Sequence, residues 1–283
     1  MALTIQNSKG LVHPDRFKTK ILLIAQPGFG KTEFIGGVPN IGIAATETGD
    51  GNGMLTIAER GVDYVEPETL TDLEAVCKGQ VFKTHSAQAL DSLTAMSRTF
   101  IRKAALAIPR KQGDSEKRRR GVPELDDYGV IAVMIQDLLR QLIQLDKHII
   151  VTAQLKVQMP DAETGRGEYL VGPDLPGQMF LGAPAMFDQV FIGRTRNVTR
   201  DIVNDKGITE KKKVTERYWI TAPDGIHLAK CRSKRLGNQP LLPQEVVYDL
   251  KTGSGTWQYM YEAMRAGYEE VYASLHTSPS VND

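Results

Sequence analysis

Apolar residues in this chain fall into short unbroken runs, separated by polar, turn-rich stretches and by longer segments of helical period. The run Ile21, Leu22, Leu23, Ile24 predicts a buried strand over Lys20–Ala25. A helix starting near Thr32 is cut short by Gly36, Gly37 and Pro39. Ile41–Thr46 predicts the next strand, followed by a loop from Glu47 to Gly53. Residues 54–80 are irregular apart from a helix over Leu70–Lys78, and Phe82–Leu90 is a weaker strand interrupted by Lys83, His85 and Gln88. Asp91-Ser92-Leu93-Thr94 opens a helix to Ala107, a charged loop occupies 109–123, and a 3.6-residue apolar period predicts a helix over Tyr128–Leu145. His148–Ala153 is a β-branched strand ending at Gln154, and 155–185 reads as a long loop of the functional kind. Met186–Gly193 is a further strand. Thr199–Val203 and Val214–Thr221 bracket the turn Asn204-Asp205-Lys206-Gly207, and Ile226–Lys230 is a last short strand. A helix over Thr256–Leu275 closes the ordered chain, with a polar lead-in at 1–18 and a disordered tail at 276–283.

Strands alternating with helices imply an α/β fold with a doubly wound, mostly parallel sheet, to which 199–221 adds an antiparallel hairpin. The expected division is a core over 19–235 and a C-terminal segment over 236–275 with a packing helix. The 283 residues suffice for a large core, and a net charge of +1 leaves any preference for nucleic acid to local patches. Two cysteines, Cys77 and Cys231, without C-x-x-C spacing argue against a disulfide framework and a zinc site. With no signal-like leader and no apolar run of about 20 residues, the expectation is a cytoplasmic protein without a membrane partner.

The chemistry concentrates at Ala25-Gln26-Pro27-Gly28-Phe29-Gly30-Lys31-Thr32. This is the phosphate-loop pattern G-x-x-x-x-G-K-[ST] with alanine in the first position. A strand that ends abruptly can turn its backbone N–H groups inward around phosphate oxygens, and Gly28 and Gly30 allow that path. Gln26 to Thr32 and Glu33 are therefore the candidate ATP-binding residues. Lys31 supplies a charge to the β- and γ-phosphates, and Thr32 a hydroxyl to Mg²⁺. The bland alternative is a glycine-rich turn. Such a site needs a carboxylate on a neighbouring strand to hold Mg²⁺ through water, and Asp91 is the candidate, with a helix N-cap as its alternative role. Glu47 and Asp50 follow the second strand and face the same end of the sheet.

The phosphate loop at 25–32, Glu47, Asp91-Ser92, and Ile149-Ile150-Val151-Thr152-Ala153-Gln154 occur in the order found in RecA-like ATPases, which this chain resembles over about 19–235. The wording is most similar to the phage nucleotide-binding protein family, which includes single-strand-annealing recombinases. Phe187-Asp188-Gln189-Val190 and Ala229-Lys230-Cys231-Arg232 add to the likeness. The resemblance implies a RecA-like core that binds and hydrolyses ATP with Mg²⁺. In it Glu47 is the base that orients water, with Asp50 as the alternative. Gln154 senses the γ-phosphate, unless it is only a strand-end amide. Lys230 and Arg232 act across a subunit interface as trans cations, or else form a solvated strand end. The partners implied are single-stranded DNA, further copies of the chain in a ring or filament, and a phage single-stranded-DNA-binding protein. The compartment implied is a bacterial host's cytoplasm.

Between Arg102 and Arg120 eight basic residues meet two acids, a local charge of +6. Alone this is as readily a solvated linker. RecA-like proteins place two DNA-contacting loops after the third and fourth strands. That implies DNA contacts by Arg110, Lys111, Lys117, Arg118, Arg119 and Arg120 in the first, and by Lys156 and Arg166 in the second. Lys211-Lys212-Lys213 reads as a solvated strand edge. A nucleotide-switched loader that binds protein, and a small-molecule kinase, are the competing functions.

Overall fold

The run ahead of the phosphate loop forms the strand about which the sheet is built. In the computed structural model the described residues are 17–47, 52–108, 122–160, 167–203, 209–232 and 240–276. β1 (Lys20–Ala25) leads into α1 (Lys31–Gly36), then β2 (Ile41–Ala45), α2 (Asn52–Leu55), β3 (Asp63–Val65) and α3 (Leu70–Cys77). β4 (Ala87–Asp91) precedes α4 (Leu93–Met96), a π-helical stretch at Ser97–Ile101, and α5 (Arg102–Ala107). α6 (Leu125–Ile143), β5 (His148–Gln158), β6 (Leu170–Pro173) and α7 (Met179–Met186) follow. The chain continues through β7 (Gln189–Val203), β8 (Thr209–Ile220), β9 (Lys230–Cys231), β10 (Glu245–Val247) and α8 (Trp257–His276).

The ten strands lie in the order β10-β8-β7-β1-β5-β4-β2-β3, with β6 on β5 and β9 on β7. β1 is parallel to β5 and β7, β4 to β2 and β5, and β3 to β2, whereas β8 and β10 are antiparallel. This is the expected mostly parallel α/β sheet with an antiparallel hairpin. It is covered on both faces, so β1 reads as a continuous apolar run. One layer packs α3, α6 and α7 on Leu22, Ile24, Leu90 and Val151. The other packs α1 and α8 on Ile21, Leu23, Ile43 and Ile150. α8 brings Trp257, Met260 and Met264 into the same layer as the strand of the phosphate loop.

Several boundaries differ from the sequence expectation. The long loop expected over 155–185 instead holds the end of β5, its antiparallel partner β6 and α7. The strands expected at Met186–Gly193 and Thr199–Val203 are one 15-residue strand, β7, and Met186 belongs to α7. The interrupted strand at 82–90 shrinks to Ala87–Asp91, leaving Lys83 and His85 outside it. Its one polar interior residue, Gln88, is buried and donates from Nε2 to the Val76 carbonyl at 2.8 Å. β3 and β10 are strands that the sequence pattern does not announce.

Candidate nucleotide site

β1 is buried between two parallel neighbours and ends at Ala25, beside Gln154 of β5 and Gly193 of β7. The chain then turns through Gly28 at φ +74° and Gly30 at φ +108°, a left-handed path suited to glycine. Gly30 caps α1, and Phe29 N–H donates to the Gln26 carbonyl at 3.3 Å. Alanine in place of the motif's first glycine is accommodated across the sheet. A Cβ at Gly193 would stand 2.8 Å from the Ala25 Cβ and 2.7 Å from the Phe29 ring, so the missing glycine has its counterpart on β7.

The back of the loop rests on residues far away in sequence. The Phe29 ring stacks on Tyr248 at 5.7 Å and meets Trp219 edge-on at 4.5 Å. Tyr248 Oη donates to the Gly30 carbonyl at 3.2 Å, and Arg217 Nη1 donates to the Phe29 carbonyl at 3.2 Å. Both loop carbonyls are thus held on the protein side, which leaves backbone N–H groups for a ligand. Burial pushes the Tyr248 phenol up to about 12, so it stays a donor. Sequence reasoning missed Arg217, Trp219 and Tyr248, and no local pattern marks them.

Lys31 is buried, and its Nζ donates to the carbonyls of Ala25 at 2.9 Å and Gln26 at 3.1 Å. Burial pushes its ammonium below the usual lysine range, while Asp91 and Glu47 oppose that shift. Thr32 Oγ1 donates to Asp91 Oδ2 at 2.9 Å, and Thr152 Oγ1 of β5 donates to Asp91 Oδ1. The Asp91–Ser92 peptide is cis. Thr46 clamps the neighbouring strand ends. Its Oγ1 donates to the Ser92 carbonyl at 2.7 Å and accepts from Ser92 N–H at 2.9 Å. Ser92, the N-cap of α4, donates from Oγ to Glu47 Oε1 at 3.1 Å. Thr46 and Thr152 were also missed, although a threonine at the carboxyl end of a buried strand is the available signal. Glu33 lies in the first turn of α1 with its carboxylate held by Arg60 at 2.6 Å.

Sequence-nominated residues are not all in one place. Lys31, Thr32, Asp91 and Glu47 converge. Gln154 sits beside Ala25, its N–H donating to Thr94 Oγ1 at 3.0 Å and its carbonyl accepting from Asp174 N–H at 2.7 Å. Lys230 and Arg232 lie at the opposite end of the sheet. β9 pairs with the start of β7, Arg232 Nη1 meets Asp188 Oδ1 at 3.3 Å, and Lys230 Nζ donates to the Ala185 carbonyl at 3.1 Å. By register Lys230 is level with Leu22, three residues or about 10 Å along β1 from Ala25, and Arg232 is beside Asp188 and Lys20, five residues or about 17 Å from it. Lys156 is on β5, where it pairs with Gly172 of β6, so it belongs to a hairpin and not to the expected loop. Asp50, Arg110, Lys111, Lys117, Arg118, Arg119, Arg120 and Arg166 lie outside the described residues.

Among the described residues a cavity of about 180 Å³ opens at the phosphate loop, lined by Gln26, Gly28, Phe29 and Gly193, and two larger ones open at the carboxyl ends of neighbouring strands. One of about 650 Å³ is lined by Glu47, Glu66, Glu68, Thr69, Phe100 and Lys103. The other, about 390 Å³, has Arg98, Arg102, Lys156, Tyr128 and Asp174 in its wall, and Arg98 pairs with Asp174.

The residues present fit a magnesium nucleotide. A glycine loop whose Phe29 and Gly30 carbonyls are held on the protein side, a buried ammonium, one hydroxyl and one carboxylate match what a triphosphate and its metal ask of a protein. Among the described residues no cluster of three or more His, Cys, Asp or Glu could cage a metal alone. Thr32 and Asp91 would hold Mg²⁺ together with phosphate oxygens. When bound, the metal–triphosphate pair supplies a transferable phosphoryl group with its charge partly neutralised. Lys31 would position that group, and Glu47, held by Ser92, would orient a nucleophile.

Fold and site together define a P-loop ATPase. The chain belongs to the AAA-domain family, whose model matches residues 18–233. No curated protein matches it. Among solved structures it is similar to a DnaB-like replicative helicase described with its interactions with primase. That match has 14% identity and a TM-score of 0.42, covering 82% of this chain and 57% of that one. It is also similar to the KaiC-like protein PH0186 of the hyperthermophilic archaeon Pyrococcus horikoshii OT3. There the identity is 13% and the TM-score 0.35, with 71% of this chain and 85% of that one covered. The chain thus spans little more than half the length of the helicase chain. Among the described residues no helix is long and apolar enough to cross a membrane.

Proposed function

We propose that this chain is a RecA-like, Mg²⁺-dependent ATPase that assembles with copies of itself on single-stranded DNA, in phage recombination, annealing or repair. The observation that carries this reading is a shared end. The phosphate loop, Glu47 and the cleft lined by Arg98, Arg102, Lys156 and Tyr128 all open at the carboxyl ends of the parallel strands. Cations beside an exposed aromatic ring suit a polyanion with stackable bases. The segment carrying Arg110, Lys111 and Lys117 to Arg120 leaves from α5, which contributes Arg102 to the cleft. Lys230 and Arg232 are held by the Ala185 carbonyl and Asp188 and not by their own phosphate loop, which supports their action on a neighbour's.

The deciding measurement is ATP hydrolysis with and without single-stranded DNA. Stimulation is expected. A second reading, phosphoryl transfer to a small molecule, has the cavity beside Glu47 in its favour. Turnover indifferent to DNA and dependent on a small acceptor would replace the first reading with the second.

A further inference from the structure

The strongest feature left unused is the outer part of the β7–β8 hairpin. β7 pairs with β1 only through Gly193, and β10 pairs with β8 only over Tyr218–Ile220. From Arg194 to Val203, and back from Thr209 to Arg217, the two strands pair only with each other. This arm extends about 33 Å past the carboxyl end of β1. An isolated two-stranded hairpin is marginal in water, so an arm of this length invites a partner.

Its two faces differ. On one, Arg196 and Arg200 both engage Glu216, Arg196 also reaches Glu245 at 2.6 Å, and its guanidinium lies over the Tyr218 ring at 4.5 Å. These ion pairs hold the hairpin together. The other face alternates with it and carries Thr195, Asn197, Thr199, Asp201, Lys211, Lys213, Thr215 and Arg217. Among the described residues Lys211 and Lys213 enter no ion pair within 4.0 Å, and both are exposed. Over residues 194–203 and 209–217 seven cations oppose three carboxylates, a net charge of +4. The polar face begins at the phosphate loop. Trp219 packs on Phe29, Arg217 donates to the Phe29 carbonyl, and Thr215, Lys213 and Lys211 continue the row outward at about 7 Å intervals.

We propose that this face of the arm holds duplex DNA by its phosphate backbone. The inference rests on the reading above only in taking nucleic acid as the ligand class. Hydroxyls, an amide and cations are the groups proteins use on phosphates. A protein partner is disfavoured, because interface cores gather aromatic residues and methionine and exclude lysine. A single strand is disfavoured because this face has no ring on which a base could stack. The duplex has the higher charge density, so each phosphate neutralised releases more counterion.

The test uses the full chain and its Lys211→Glu/Lys213→Glu variant, with a mixed-sequence duplex and a single strand of equal length as probes. Binding is followed by anisotropy across a salt series. The variant is expected to bind duplex at least ~10-fold more weakly, with a log–log salt slope flatter by about two. Single-strand affinity and single-strand-stimulated ATP turnover should not change. A Lys211→Gln/Lys213→Gln variant with the wild-type melting temperature should move duplex affinity in the same direction, which separates charge from misfolding. An unchanged duplex slope, or equal losses for both forms of DNA, overturns the proposal. So does a change of oligomeric state with duplex affinity intact. Wild-type protein that binds single strands but no duplex removes the arm proposal alone, whereas binding to neither form removes both readings.

Discussion

Lys31, Asp91 and Glu47 stand within one electrostatic neighbourhood, yet their substitutions should fail in different ways. Lys31→Ala removes the buried ammonium and is expected to abolish nucleotide binding with the fold intact, as read by nucleotide titration alongside circular dichroism. Glu47→Gln keeps an acceptor for the Ser92 hydroxyl but loses the carboxylate proposed as the base. It should bind Mg-ATP normally and turn it over about 10²-fold or more slowly, a typical share for a positioned general base. Normal turnover would pass the role to Asp50 or to water alone. Asp91→Asn should raise the Mg²⁺ concentration needed for half-maximal activity. His148 makes a different prediction. It is boxed in by Phe17, Trp257 and Tyr261, and its Nδ1 accepts from Thr19 N–H at 3.2 Å. Burial, helped by Lys18 and Lys20, pushes its pKa down to about 4. The unfolded chain, with the ordinary value near 6.5, binds the proton first. Stability is therefore full above about pH 6.5 and falls as pH drops toward 4, by on the order of 2 kcal/mol. Denaturant midpoints measured from pH 7 to 4 should show this slope in the wild type and lose most of it in His148→Gln.

At the level of elements, what the sequence announces depends on burial. β1 and β2 are legible as unbroken apolar runs buried on both faces, and α6 and α8 as an apolar period against one core face. β3 and β10 have three residues each and at least one exposed member, which is too little pattern to register. β5 runs on to Gln158 because β6 pairs with it, and that pairing partner lies beyond a stretch of glycine and proline that looks like loop. β7 loses its apolar character after Gly193, so one strand looks like two. The strand that carries Asp91 was legible despite Gln88, whose Nε2 donates to the Val76 carbonyl of α3. The aromatic support of the phosphate loop was not, because Tyr248 meets Gly30 across 218 positions of sequence. That support is testable. Tyr248→Phe deletes one hydrogen bond to the Gly30 carbonyl and should cost about 1 kcal/mol, seen in the denaturant midpoint. Arg217→Ala should weaken nucleotide affinity by freeing the Phe29 carbonyl.

For the molecule as a whole, the separation of Lys230 and Arg232 from the phosphate loop has a functional reading. On the proposed reading these cations serve an adjoining copy. Lys31→Ala and Lys230→Ala/Arg232→Ala should each be inactive as pure proteins. Mixed, the first supplies cations to a neighbour whose phosphate loop is whole, so part of the ATPase activity should return. A mixture as inactive as its components, with co-assembly demonstrated by light scattering, would assign these residues to the support of β9 and Asp188 instead. On the same reading the cleft proposed for DNA and the nucleotide site open at one end of each copy. DNA binding and ATP binding should then strengthen each other by a common factor, which paired titrations can measure.

The close approach of Ala25 and Gly193 ties two distant positions together. A methyl group at 193 would stand 2.8 Å from the one already present at 25 and 2.7 Å from the Phe29 ring, so the two positions cannot both carry side chains in this backbone. The departure from the motif is therefore tolerable only while position 193 stays glycine, a condition set 168 positions downstream and outside any local signature.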